Sequence, residues 1–174
     1  MADEPWLDAA ELEAWITLTV LIDALPAAVD TELKGIAGIN FFQYTILAML
    51  SEQDDRTLQM SDLAGVAFGS LSRVSHSVDR LERRGWVERR AGVGGRRHTV
   101  VTLTDEGFEA IREAAPAHVR HVRSVLVEPL SPDELAQLAS IGRKMIDGFD
   151  PALAAQLREM IPVVIERNRA GGTS

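Results

Sequence analysis

Arginine is the side chain through which this protein could do its chemistry, and its arginines are unevenly placed. The run SLSRVSHSVDRLERRGWVERRAGVGGRRH, from Ser70 to His98, holds eight of them, at positions 73, 80, 83, 84, 89, 90, 96 and 97, against the three acids Asp79, Glu82 and Glu88. That is a local excess of five positive charges in a chain whose formal net charge is −8. An acidic protein that gathers its positive charge in one stretch presents one face to a polyanion and repels it elsewhere. The stretch contains no lysine. A guanidinium can engage phosphate or a guanine edge through two parallel hydrogen bonds, which an ammonium cannot do.

These arginines need elements to hold them. Leu71, Val74, Val78 and Leu81 recur at helical spacing and predict one apolar face, opposite Ser72, Arg73, Ser75, His76, Asp79, Arg80 and Arg83. Ser70 is a suitable N-cap, and Arg83 and Arg84 complement the helix dipole before Gly85 ends the helix. The period then changes. Trp86 to Arg90 reads as a short strand, Gly92 to Gly95 as a turn, and Thr99 to Leu103 as a β-branched return strand. Upstream, Ser61 to Ala67 reads as a helix of about two turns, and Phe68-Gly69 as the turn out of it. Short helix, glycine turn, polar-faced helix and hairpin together make a winged helix-turn-helix. Ser72, Arg73 and His76 are the expected base-edge contacts, with Ser75 on the same face, and Ser70 and Arg80 are the expected phosphate contacts. Arg96 and Arg97 would reach a minor groove from the hairpin tip, and Arg83, Arg84, Arg89 and Arg90 are left to solvation and salt bridges. A basic helix face alone can be merely solvated; the attached wing favours the nucleic-acid reading.

The flanking helices have a different task. A long amphipathic helix starts after Asp8, with Leu12, Trp15, Ile16, Thr19, Ile22 and Leu25 at helical spacing and Pro26 as a kink or a mark of its last turns. Asn40 caps a second helix, Phe41 to Leu50, with Phe41, Tyr44, Leu47 and Ala48 on one face. Thr104 opens a helix running to about Val127, with Phe108, Ile111, Ala115, Val119, Val122 and Leu126 as its stripe and Pro116 inside it. Ser131, Pro132 and Glu134 mark another start, and Leu135, Leu138, Gly142, Met145 and Phe149 then form a seam suited to a second helix. The expected fold is mainly α with a minor β component. Residues 1–34 form an N-terminal dimerisation helix, 35–104 the winged domain, 105–150 the C-terminal dimerisation helices and 151–174 a helical tail wrapping a partner subunit. The long helices lack partners enough within one chain, which predicts a homodimer.

Composition removes several alternatives. The chain has no cysteine, which excludes disulfides, thiolate metal sites and a cysteine nucleophile. The first twenty residues carry acids where a secretion signal needs basic residues, and no apolar run approaches a bilayer span, so a cytoplasmic protein without a membrane partner is expected. His118 and His121 have metal-ligand spacing on one helix face, but two histidines alone read better as exposed or interface residues. With no phosphate-binding glycine loop and no nucleophile motif, neither an enzyme nor a bound cofactor is expected.

Leu63-Ala64, the segment from Ser75 through Arg80-Leu81-Glu82-Arg83-Arg84-Gly85-Trp86-Val87-Glu88-Arg89, and Val101 to Gly107 after the hairpin arginines resemble the MarR family of winged-helix transcription regulators. The resemblance covers about residues 10–148. It implies a triangular homodimer that places a reading helix in each of two major grooves of an inverted-repeat duplex, and repression relieved by a small-molecule effector. One position departs from the family: Gly95-Arg96-Arg97 stands where the wing usually has Asp-x-Arg, so Arg97 lacks its local carboxylate. The resemblance puts the effector pocket between dimer helices and winged domain, where Trp15, Phe41, Phe42 and Tyr44 are the candidate lining. The competing reading is a winged helix used as a protein-interaction module without sequence-specific DNA binding.

Overall fold

The computed structural model describes residues 6–92 and 99–171, and side chains as far as residue 167. Arg96 and Arg97, with the rest of the hairpin tip from 93 to 98, lie outside the described residues. Helix α1 spans Ala9–Ala37; the Asp8 carboxylate accepts from the Glu11 amide at 2.9 Å while Glu11 reaches back to the Asp8 amide at 2.8 Å. These reciprocal bonds satisfy donors that the first helical turn leaves free. Pro26 sits within the helix, which continues to Gly38 at φ 66°, a left-handed conformation that glycine adopts without a Cβ clash. The next helix, α2 (Phe41–Ser51), is capped by Asn40 and Gln43 in the same reciprocal manner.

α2 is the centre of the winged domain. Its Phe42, Ile46, Leu47 and Leu50 bury against Leu63 of α3 (Met60–Val66), Val74, Val78 and Leu81 of α4 (Leu71–Glu82), and Ile111 of α5 (Asp105–Val122). The buried face therefore differs from the predicted one: Leu47 is in the core, but Phe41 is exposed and Tyr44 and Ala48 are only half-buried, packed against the edge of the core. A helix packed on two sides offers several apolar stripes, and the sequence does not rank them. In α4 the apolar stripe holds at Val74, Val78 and Leu81, but Leu71 is 55 % exposed and Ser77 takes a buried place.

The wing is part of a three-stranded sheet. β2 (Val87–Ala91) and β3 (Thr99–Leu103) pair antiparallel as predicted, and β1 (Thr57–Gln59) adds to the other edge of β3, with Leu58 opposite Val101. β1 went unpredicted because three residues are too few to display a period, and its partner lies more than forty residues away. α5 starts at Thr104, whose hydroxyl accepts from the Gly107 amide and donates to the Gly85 carbonyl at 2.7 Å. Pro116 is accommodated inside it, and the last turn, Arg123–Val127, widens to π geometry.

Arg84, assigned from the sequence to solvation, joins the two parts of the molecule. Its guanidinium donates to the carbonyls of Gly38 and Ala37, both at 3.0 Å, and lies over the Trp86 ring at 3.7 Å. It thus satisfies carbonyls that the end of α1 leaves open. Arg84→Ala should lower the unfolding free energy by about 1–2 kcal/mol, because charge-assisted bonds from a partly solvated side chain are discounted against buried ones. Urea unfolding at equal protomer concentration measures it; an unchanged midpoint would show that the clamp contributes nothing.

α6 (Pro132–Phe149) carries the predicted Ser131–Glu134 capping box but buries none of its residues: Leu138, Ile141, Met145 and Phe149 are between 41 and 71 % exposed. α7 (Pro151–Gly171) folds back along α6, with Arg158 paired to Asp147 at 3.1 Å, Ala154 buried, and the Gln156 amide donating to the Gly65 carbonyl of α3. The tail was expected to wrap a partner subunit; within the protomer it packs on its own α6 and touches its own α3. α1 also corrects an expectation, since by length and composition alone it is apolar enough to cross a bilayer. The sequence reading looked for an unbroken apolar run, and α1 reaches that composition with its few acids spread along it.

Candidate nucleic-acid interface

α4 is fixed from behind by Val74, Val78 and Leu81 in the core and from its start by Ser70, whose hydroxyl accepts from the Arg73 amide at 3.2 Å. Ser72, Arg73, His76 and Arg80 are exposed on its outer face. Ser75 is half-buried: its carbonyl accepts from Arg89 at 2.8 Å, which ties it to β2 as well as to the face. His76 Nδ1 lies 4.0 Å from the Asp79 carboxylate.

Arg89 crosses from β2 to α4, donating to Asp79, to Glu82 at 3.3 Å and to Ser75. Its hydrogen bond holds the Asp79 carboxyl below the usual carboxylate range, so this acid stays ionised and neutralised beside the reading face. Arg90 pairs with Glu88 at 2.7 Å. Arg89 and Arg90 therefore do make salt bridges, but Arg89 also ties the wing strand β2 to α4. That role was invisible in the sequence, because spacing along a chain does not show which strand residue faces which helix turn.

Arg73 is held differently. Its guanidinium carbon lies 4.0 Å from the centroid of the Phe42 ring. Phe42, a candidate for pocket lining, is instead a core residue beneath α4.

The other candidate pocket residues separate. An apolar cavity of about 230 Å³ lies between α1, α2, α5 and the π turn, lined by Leu25, Pro26, Val29, Phe41, His118, Val122, Val125 and Leu126. Phe41 is thus on its wall. Tyr44 stands beside it, its ring centroid 4.4 Å from that of His118, and burial followed by the nearby Glu32 carboxylate pushes its hydroxyl pKa up. Trp15 is 59 % exposed on the outer part of α1 and does not line this cavity. His118 is buried, with Nδ1 3.4 Å from Glu32. Among the described residues no group of three potential metal ligands occurs.

A reading helix exposed over a packed three-helix core, with an antiparallel wing hinged to it by Arg89, defines a winged helix-turn-helix protein, and the chain belongs to the MarR family of transcription regulators. The MarR family model matches residues 37–98. The HTH-type transcriptional regulator YfiV of Bacillus subtilis is 32% identical over 134 residues, covering 76% of this chain and 80% of YfiV. The transcriptional repressor MprA of Escherichia coli is 34% identical over 113 residues, and the match spans 65% of this chain but only 64% of MprA. Among solved structures, Sco3205, a MarR family regulator from Streptomyces coelicolor crystallised in complex with DNA, is 37% identical with a TM-score of 0.81, over 87% of this chain and 95% of that one. AbsC, of the same family and organism, is 32% identical with a TM-score of 0.74, over 90% of this chain and all of AbsC. These relatives are regulators and not enzymes, in keeping with the sequence reading.

Proposed function

We propose that this protein is a homodimeric repressor that reads an inverted-repeat duplex through α4 and releases it on binding a small apolar effector. The observation that carries the reading is the outer face of α4, where Ser72, Arg73, His76 and Arg80 stand exposed on a helix whose inner face is fully buried. A base-reading helix must be rigidly backed and polar outside, because contacts to base edges depend on register. The DNA complex of Sco3205 and the name of MprA support DNA binding and repression in turn. The exposed apolar side chains of α1 and α6 support a second copy as their cover, and Arg96 and Arg97 remain the proposed wing contacts. Support for an effector comes from the cavity beside His118: its size suits a single ring, and its wall joins the proposed dimer helix α1 to α2 of the winged domain.

Selection of duplexes from a random pool at fixed salt tests the proposal. An inverted repeat should be enriched, and Arg73→Ala should relax preference at one base pair per half-site by about 1–3 kcal/mol. Uniform, salt-sensitive binding with no enriched repeat would reject sequence reading and leave the interaction-module alternative.

A further inference from the structure

Among the described residues, the arginines in and beside α4 are restrained in different ways. Arg84 spends its N–H groups on the carbonyls of Ala37 and Gly38, Arg89 on Asp79, Glu82 and Ser75, and Arg90 on Glu88. The Arg73 guanidinium carbon instead lies over the Phe42 ring, 4.0 Å from its centroid. A cation–π contact restrains where a guanidinium sits without pairing the N–H groups at its edge to a carboxylate or carbonyl. Those edge groups are the ones a bidentate contact to guanine O6 and N7 requires.

The Phe42 ring is itself tightly enclosed. It is 8 % exposed within the core, and it abuts the turn into α4 so closely that a Cβ on Gly69 would lie 2.5 Å from its Cζ and 2.8 Å from its Cε2. The residue before that glycine, Phe68, adopts φ 50°, so the turn has a specific and strained backbone course. One ring therefore packs against both the turn into α4 and the guanidinium on its first turn. A free arginine side chain carries substantial rotamer entropy, much of which a contact to a base must otherwise overcome.

We infer that Phe42, a residue of α2 that no DNA need touch, is a positioning residue for sequence recognition: it holds the Arg73 guanidinium in place over its ring by a contact that consumes no hydrogen-bond donor. This rests on the reading of α4 as a base-contacting helix. It predicts that the aromatic ring at 42, and not merely an apolar side chain there, determines preference at the base pair read by Arg73.

The test uses the full-length protein and the duplex selected above. Phe42→Leu should reduce preference at the Arg73-dependent base pair about tenfold while changing affinity for an unrelated duplex less than twofold, and Phe42→Leu/Arg73→Ala should match Arg73→Ala alone. Equal loss on every duplex with preference intact would overturn the inference, as would full additivity of the two substitutions. A second measurement is independent of how Phe42→Leu folds: in the DNA-free wild type, the Arg73 Nε–H order parameter should approach that of the clamped Arg84. A value as low as that of the exposed Arg80 would overturn the inference even where Arg73 reads a base. Failure to enrich any repeat would reject the underlying reading of α4, whereas an enriched repeat that depends on Arg73 and is indifferent to Phe42→Leu would reject this inference alone.

Discussion

On the proposed homodimer, Ile22→Glu should give a monomer and weaken binding to the selected duplex by at least roughly a hundredfold at fixed salt. Ile22 is 64 % exposed on α1, on a helix that also exposes Leu12, Trp15, Ile16, Val20 and Leu21. Apolar patches much beyond a few hundred Å² are rare on soluble monomers and mark surfaces that another molecule covers. α6 has the same deficit, with Leu138, Ile141, Met145 and Phe149 all exposed. A second copy can cover both helices at once, and a carboxylate placed at that seam would have to lose its hydration without a partner. The large effect on DNA arises because a dimer engages two half-sites and the second contact is then intramolecular; a monomer retains only one. Sedimentation at micromolar concentration, followed by titration of the duplex, reads both quantities. A variant that stays dimeric with unchanged affinity would show that this face of α1 is covered by something else.

Gly107→Ala should destabilise the fold by about 3 kcal/mol, at the upper end of what overpacking one methyl costs. A Cβ there would fall well inside contact distance of the Trp86 carbonyl oxygen and 2.8 Å from Leu103 Cδ1. Neither neighbour can retreat freely. The Trp86 carbonyl accepts from the Thr104 amide at 3.1 Å, the Trp86 amide donates to the Leu81 carbonyl at 3.1 Å, and Leu103 is buried at the end of β3. Relief of the clash must therefore open the junction at which α4, β2 and α5 meet. For a chain of this size the loss corresponds to a fall in Tm of about 6–12 °C, measured at matched protomer concentration because dimerisation shifts the midpoint. A Tm within about 2 °C of the wild type would mean that the junction is softer than its hydrogen bonds suggest.

The helix starts were legible in the sequence because capping is local chemistry. Asp8, Asn40, Ser70, Thr104 and Ser131 each accept from an amide three residues on, and a reader of the chain sees both partners at once. The reading helix was legible for a related reason, since its buried stripe and its polar face lie within a dozen residues. The exposed Leu71 and the buried Ser77 show the limit, because a helix end can protrude from the core whatever its period. Trp15 shows another: an aromatic on a long helix was a fair candidate for a pocket wall, yet the wall is made by Leu25, Pro26 and Val29, about three to four turns further along.

The sequence by itself determined the class of the molecule: the concentration of arginine, the capped helices, the hairpin and the glycine turns all arise from neighbours within about four residues or from local charge. Tertiary structure decided what each arginine does. Arg84 meets α1 carbonyls 46 and 47 positions away, Arg89 meets a helix rather than solvent, and Arg73 lies on a ring 31 positions earlier in the chain. The physical reason is that an arginine can be solvated, paired, clamped or stacked with little change in its local sequence. Which of these it adopts depends on the group the fold brings within about 4 Å of its guanidinium.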